Sequence, residues 1–257
     1  ALLNSLIGGL SQVNDQEVGG VLSTFYQSLK DRQTLLYFED PKLSGVVAQL
    51  GWAGSMIQPE CPSNFANSCK TDYIYQVESN IGINKINKYI NSGVNHIVTI
   101  NENSVTHRRQ IRYDNKSHSK IWPFGSYKTY IRFYLNPEVQ LLSISINDNQ
   151  VSDDHIMEYI DHNKKIIGVT AEIPDGEQRN IVIEYSSPLS INPGDSYFFF
   201  EQPQPGLEKR LSTVSVTHHM GLEAELISPR VEVNQNQIVV TSDVGMGFVA
   251  IKFVENK

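Results

Sequence analysis

The chain has 257 residues, enough for one large domain or two modest ones, and its 40% hydrophobic content excludes disorder as a reading of the whole. The 11 Pro and 17 Gly are dispersed, which excludes collagen-like and linker architectures, and no apolar run reaches the ~18 residues of a membrane-spanning helix. A formal net charge of −7 disfavours a nucleic-acid partner, since the densest basic stretch, His107-Arg108-Arg109 with Arg112, is short and alternates like a strand face.

The first 51 residues read as helical. Leu2, Leu3, Leu6, Ile7 and Leu10 fall on one helical face. A second helix is expected from Asn14, with Glu17 in capping-box position and an apolar stripe of Val18, Val21, Leu22, Phe25 and Leu29. A short strand over Thr34–Phe38 follows. Asp40-Pro41 then supplies an N-cap and a proline at the first helical position, Leu43, Val46, Val47 and Leu50 a buried face, and Gly51 a stop. The chain opens inside a helical pattern and carries no signal peptide, so an export signal or anchor is expected upstream.

Cys61 and Cys69 bracket a short polar loop. With no His or second Cys pair nearby, a zinc site lacks ligands, and a disulfide is the simplest reading, two unrelated free thiols being the alternative. A disulfide implies an oxidising compartment.

A strand is expected over Asp72–Glu78, and from about residue 88 the pattern is β nearly throughout. Val94, His96, Val98 and Ile100 alternate with polar neighbours, and Val105–Tyr113 returns across a turn at Asn101-Glu102-Asn103. Ile131, Phe133 and Leu135 share one strand face, and Leu142, Ile144 and Ile146 another. Strands follow at Ile166–Ile173, Asn180–Ser186, Tyr197–Gln202 and Thr213–His218, then a hairpin from Arg230–Val233 to Gln237–Val240 and a last strand at Phe248–Val254. Asp148-Asn149, Asp175-Gly176 and Asn192-Pro193-Gly194-Asp195 mark turns. The fold class is therefore α+β, mainly β: a helical or α/β segment over 1–87, holding the 61–69 disulfide loop, then an antiparallel β-sandwich over 88–257, with a closed barrel as the alternative.

Few constellations suggest chemistry. No phosphate-binding loop or nucleophile elbow is present. His218-His219 point to opposite faces of a strand, His155 and His162 match no metalloprotease spacing, and the histidines read as solvent-exposed strand or turn residues. Asp148, Asp153, Asp154 and Asp161 lack the glycine-marked calcium loop and read as soluble turn residues. No catalytic residue, metal or cofactor is assigned. The most suggestive stretch is the Pro/Gly-marked loop carrying Trp122, Phe124 and Tyr127, whose flat aromatic faces can stack on sugar rings or anchor a protein. The alternative is that this loop folds back to cap the sandwich. Asn80, Asn84, Lys85 and Asn87 around Gly82 form an amide-rich cluster. Asn80 and Lys85 are candidate ligand contacts, although a structured turn is the preferred reading.

Several segments occur in a telling order: Leu35-Leu36-Tyr37-Phe38-Glu39-Asp40-Pro41, Gly51-Trp52-Ala53-Gly54, Asp72 leading into Asn80-Ile81-Gly82-Ile83-Asn84-Lys85, Tyr130-Ile131-Arg132-Phe133-Tyr134-Leu135 and Gln202-Pro203-Gln204-Pro205-Gly206. This order resembles the C-terminal half of the bacterial domain of unknown function 4012 family, over about residues 35–210. The resemblance implies an envelope protein with an N-terminal membrane segment, encoded near polysaccharide-export genes. It also implies an upstream half similar to glycopolymer phosphotransferases of the LytR-CpsA-Psr type, and it supplies no catalytic residue here. The loop from Asp114 to Ser126 is expanded relative to that pattern.

The expected function is thus a non-catalytic extracytoplasmic module, at the cell surface or secreted, binding envelope polysaccharide or another envelope protein. Its only membrane attachment would be an upstream anchor. The alternatives are the accessory half of a glycopolymer-handling enzyme whose active site lies upstream, and a structural or assembly protein.

Overall fold

The computed structural model describes residues 15–65, 68–117, 119, 121–207, 210–229, 231, 233–234, 237–242 and 247–256. The helix expected over Leu2–Leu10, the Asn14 cap, His118, Arg230 and Glu232 lie outside the described residues.

The chain forms two compact units, Ala1–Ile57 with Pro205–Glu208, and Gln58–Gln204 with Lys209–Lys257. The first holds helices α1 (Asp15–Lys30) and α2 (Pro41–Gln49). Asp40 caps α2 by accepting from the amides of Lys42 and Leu43 at 2.8 and 3.0 Å. Its C-terminus closes on Gly51 at φ 74°, with Trp52 N–H donating to Val47 O (2.8 Å) and Gly51 N–H to Ala48 O (3.0 Å). That is a Schellman cap, which needs the left-handed backbone a glycine tolerates. Two expectations fail here. Thr34–Phe38 is irregular rather than a strand, tied by Thr34 N–H to Ser28 O at 3.2 Å and Leu36 N–H to Trp52 O at 2.9 Å. The helical stripes are also largely uncovered: Leu29 and Val47 are buried, but Val18, Val21, Leu22, Phe25, Leu43, Val46 and Leu50 are exposed.

The second unit is a sandwich of two sheets. Its strands are β1 (Cys69–Asn80), β2 (Ile90–Ile100), β3 (Val105–Asn115), β4 (Tyr127–Leu135), β5 (Gln140–Ile146), β6 (Asn149–Gln150), β7 (Ile156–Asp161) and β8 (Lys164–Ile173). They continue with β9 (Gln178–Ser187), β10 (Ser196–Gln202), β11 (Leu211–His218), β12 (Leu222–Ser228), β13 (Val233–Asn234), β14 (Gln237–Ser242) and β15 (Gly247–Glu255). Among the described residues, sheet A has the order β12-β15-β10-β1-β4-β8-β7 and sheet B the order β13-β14-β11-β2-β3-β9-β5-β6. Alternation does the folding: Ile131, Phe133 and Leu135 of β4 point inward and are wholly buried, meeting Val98, Ile111 and Ile183 from sheet B.

The mainly β sandwich after a helical segment is as expected, but both sheets are mixed rather than purely antiparallel. β1 pairs parallel with β10 (Tyr73 opposite Phe200), and β2 parallel with β11 (Val98 opposite Val216). Of the connections that pass from sheet A to sheet B, β1–β2 and β10–β11 lie alongside one another and run in the same direction. The expected boundary at residue 87 moves to 57/58, because β1 is hydrogen-bonded between β10 and β4 at the centre of sheet A. Strand β5 also departs from strict alternation. Its register shifts between Leu141 and Ser143, which turns Leu142 outward while Ile144 stays buried. The sequence reading passed over β7 and β12.

Cys61 and Cys69 form a disulfide with Cα atoms 6.6 Å apart. It ties the segment ahead of the sandwich to the first residue of β1. Among the described residues no helix is long and apolar enough to cross a membrane.

Candidate functional site

Two loops leave the same end of the sandwich, since Asn80 at the end of β1 lies opposite Thr129 of β4 and Ile90 at the start of β2 lies opposite Asn115 of β3. One loop, residues 81–89, joins β1 to β2; the other, residues 116–126, joins β3 to β4. The structure unites the two clusters singled out in the sequence. Asn84 donates its side-chain amide to Ser126 O (2.9 Å), Lys85 N–H donates to Pro123 O (2.9 Å), and Ile81 N–H donates to Lys128 O (2.8 Å).

Within this tip the candidate residues divide. Asn80 spends both polar ends on the turn: its Oδ1 accepts from Gly82 N–H (2.8 Å), and its Nδ2 donates to Asn84 and Asn87. The Lys85 side chain is exposed. Tyr127 is buried, its hydroxyl donating to Glu78 Oε2 (3.3 Å). Burial, and then the Glu78 charge, push its pKa well above the usual phenol range. Phe124 packs edge-on against Tyr89, with ring centroids 5.1 Å apart, and against the core. Both aromatics therefore cap the sandwich. Trp122 instead stands 68% exposed, beside Ile121 at 78%.

Across the cross-loop bonds, Ile81 and Ile83 are exposed as well, and Ile83 adopts φ 53°. A β-branched residue in the left-handed region is an outlier of the kind that persists where surrounding structure enforces it. The enforcement is visible in the turn bonds of Asn80 and the Lys85–Pro123 link. The second loop is fixed from beneath by buried Asn115, whose Nδ2 donates to Gly125 O (3.0 Å) and Ile173 O (3.1 Å). The sequence reading passed over Ile81, Ile83 and Ile121 as site residues, although three isoleucines in Gly/Asn/Pro-marked loops are a signal that was available.

A second assembly lies inside the sandwich. Asp72 of β1 accepts from Ser187 Oγ (2.6 Å), Tyr197 Oη (3.0 Å) and His107 Nε2 (3.1 Å). His107 Nδ1 faces His96 Nε2 at 3.1 Å, and His96 Nδ1 faces Arg109 Nη1 at 3.3 Å. Arg109, wholly buried, also donates to Gln76 Oε1 (2.8 Å) and Glu201 Oε1 (2.5 Å). Gln76 passes the chain to Glu78, which takes Arg210 Nη1 at 2.7 Å. His96 and His107 thus overturn the expectation of solvent-exposed histidines, and the supposed basic patch splits. His107 and Arg109 face inward, while Arg108 pairs outside with Glu184 at 3.3 Å.

Arginine can only donate, so His96 Nδ1 accepts and its proton sits on Nε2. That proton goes to His107 Nδ1, which leaves His107 Nε2–H to donate to Asp72. Both imidazoles are neutral and share one tautomer. Burial first, then the cost of placing a second positive charge beside His107 and the Arg109 guanidinium, hold the His96 pKa well below its ordinary value. For Glu201, burial pushes upward, but Arg109, Arg210 and the Ser212 hydroxyl outweigh it and hold its pKa below the usual carboxylate range. The Ser187 hydroxyl points at the Asp72 carboxylate and not at an imidazole, so this arrangement does not activate a nucleophile.

No protein-family model matches the chain, and no curated protein matches it. Among solved structures, a candidate nutrient binding protein of Legionella pneumophila is 8% identical over 71% of this chain and 71% of its own, with a TM-score of 0.46. An M1 zinc metallopeptidase of Deinococcus radiodurans is 10% identical over 63% of this chain and 42% of its own, with a TM-score of 0.34. Leukotriene A4 hydrolase of Saccharomyces cerevisiae is 5% identical over 65% of this chain and 29% of its own, with a TM-score of 0.40. The chain spans less than half of either enzyme. Likenesses this distant carry nothing about activity.

Proposed function

We propose that this chain is a non-catalytic binding module of a bacterial envelope protein, and that it docks a protein partner through the tip formed by the 81–89 and 116–126 loops. The observation that carries the reading is Trp122 exposed, together with Ile81, Ile83 and Ile121, on loops tied to one another by the Lys85 N–H to Pro123 O and Asn84 Nδ2 to Ser126 O hydrogen bonds. Preorganised loops lose little conformational freedom on binding, and an exposed tryptophan on loops that also expose aliphatics is the make-up of an interface hot spot. Branched aliphatics exposed on the same loops favour a protein surface over a sugar at this site. The Cys61–Cys69 disulfide supports an extracytoplasmic setting. The resemblance to the domain of unknown function 4012 family supports an envelope setting, in which the module would be accessory to a glycopolymer-handling half elsewhere in the protein.

The test is site-directed photo-crosslinking in envelope preparations, with the crosslinker at Ile83 or Trp122 and, as control, at Asn149 in sheet B. A partner captured from the tip positions alone, whose purified form binds Trp122→Ala at least about tenfold more weakly, supports the reading. Equal capture from Asn149, or unchanged affinity of Trp122→Ala, sinks it. Binding of lipid vesicles that Trp122→Ala abolishes would reassign the tip to a membrane surface.

A further inference from the structure

The outward face of sheet A carries a second pattern, far from apolar in character. Because Ile131, Phe133 and Leu135 point into the core, Tyr130, Arg132 and Tyr134 of β4 point out, in a row of roughly 13 Å. Across β8, Tyr159 of β7 continues the row, lying beyond Ile166, which pairs with Tyr134. Tyr159 is 41% exposed. Between Arg132 and Met157 of β7 the register places Gly168, and a Cβ there would stand 2.1 Å from the Tyr130 hydroxyl oxygen. The missing side chain lets Tyr130 lie across the sheet, so the platform is flat by construction.

Arg132 sits between its two tyrosines, with the guanidinium carbon 5.9 Å from each ring centroid. Its polar contacts are long, Nη1 donating to Tyr134 Oη and Nη2 to Ser79 Oγ, both at 3.3 Å, and its Nε is buried with no hydrogen-bond partner. Among the described residues Arg132 forms no ion pair, whereas Lys128 on the same face of β4 is neutralised by Glu172 (3.5 Å). This planar, forked cation thus has no carboxylate partner among them, and Lys164, likewise without an ion pair there, lies instead over the Tyr73 ring at 4.1 Å. Nearly all buried polar atoms in proteins are satisfied, and a guanidinium matches a carboxylate bidentately.

We infer that this tyrosine–arginine face binds an acidic polysaccharide, with Arg132 taking a uronate carboxylate and Tyr130, Tyr134 and Tyr159 taking the flat faces of sugar rings. One planar cation set between aromatic rings, in an acidic chain, suits spaced carboxylates better than a nucleic-acid backbone, which several clustered cations neutralise. The inference is independent of the tip, because it concerns another surface and another ligand class.

The experiment is affinity electrophoresis of the intact chain through polygalacturonate, alginate and hyaluronate, with fully methyl-esterified polygalacturonate and poly-glutamate as comparators. Retardation by at least one uronate polymer, and none by the ester or the peptide, is expected. Arg132→Gln and Tyr159→Ala should each weaken it at least about tenfold, and Gly168→Ala, which displaces Tyr130 without removing a charge, should also weaken it. Trp122→Ala should leave it unchanged, which separates this face from the tip. Near-UV circular dichroism reports whether each variant folds; exposed Tyr159 carries the test if Arg132→Gln does not. The inference fails if no uronate polymer retards the protein, if poly-glutamate retards it equally, or if folded Arg132→Gln or Tyr159→Ala binds as the wild type does.

Discussion

Arg109 and Glu201 meet at 2.5 Å between the two sheets, both buried, contributed by strands 92 positions apart in sequence. The Asp72–His107–His96 relay is oriented from here, because the donor-only Arg109 guanidinium fixes the tautomer of His96 and, through it, of His107. Arg109→Leu should leave the Glu201 carboxylate buried without its cation and cost about 3–5 kcal/mol, measured by urea denaturation. The double variant Arg109→Leu, Glu201→Leu should recover much of that loss. Equal losses in the single and double variants would show that packing, not charge, accounts for the effect.

Acid should loosen the sandwich through His96. Its folded pKa is depressed, chiefly by burial, so below about pH 6.5 the unfolded chain takes up a proton that the folded chain refuses. The unfolded state then binds more protons, and stability falls as pH falls from the unfolded pKa towards the folded one, at no more than about 1.4 kcal/mol per pH unit for this one group. His96→Gln should be less stable at neutral pH but show a shallower slope between pH 6.5 and 5. An unaltered slope would assign the acid sensitivity to other groups.

The Cys61–Cys69 link closes a separation of 8 residues, and the chain-entropy estimate for such a loop is roughly 2–3 kcal/mol. Cys61→Ser, Cys69→Ser should lower the unfolding free energy by about that amount. Reductant should lower the wild type to match and leave the double variant unmoved.

Trp122 and Phe124 are two positions apart and should behave oppositely in a melt. Trp122→Ala removes an exposed ring and should change stability by no more than about 0.5 kcal/mol. Phe124→Ala removes the ring that seats on Tyr89 and the core, and should cost about 2–3 kcal/mol. A large loss in Trp122→Ala would mean that the tip is a structural cap.

Much of the sandwich was legible because inward Ile, Val and Phe alternate strictly, as in β4 and β8. The edge strand β7 was not, since most of its side chains are exposed and no two-residue period results. The parallel neighbours left no local trace either, because β10 reaches β1 from more than 100 residues away. At the site, alternation did place His107 and Arg109 on one face with Ile111. Their charge argued for water, and only Glu201 on a distant strand makes the interior tolerable. The exposed stripes of α1 and α2 show the converse error: helical periodicity predicts a face, not what covers it.

The parallel pairing of β1 with β10 and of β2 with β11 also bears on how the chain is made. The central strand of each sheet keeps one flank unpaired until residues beyond about 196 have been synthesised, so contacts of very high sequence separation must close last. During synthesis, the early strands would leave the ribosome with open edges and with Arg109 still lacking Glu201. Complete closure of either sheet before the chain is finished is thereby disfavoured, and a chaperone would find its targets in the strands that emerge first.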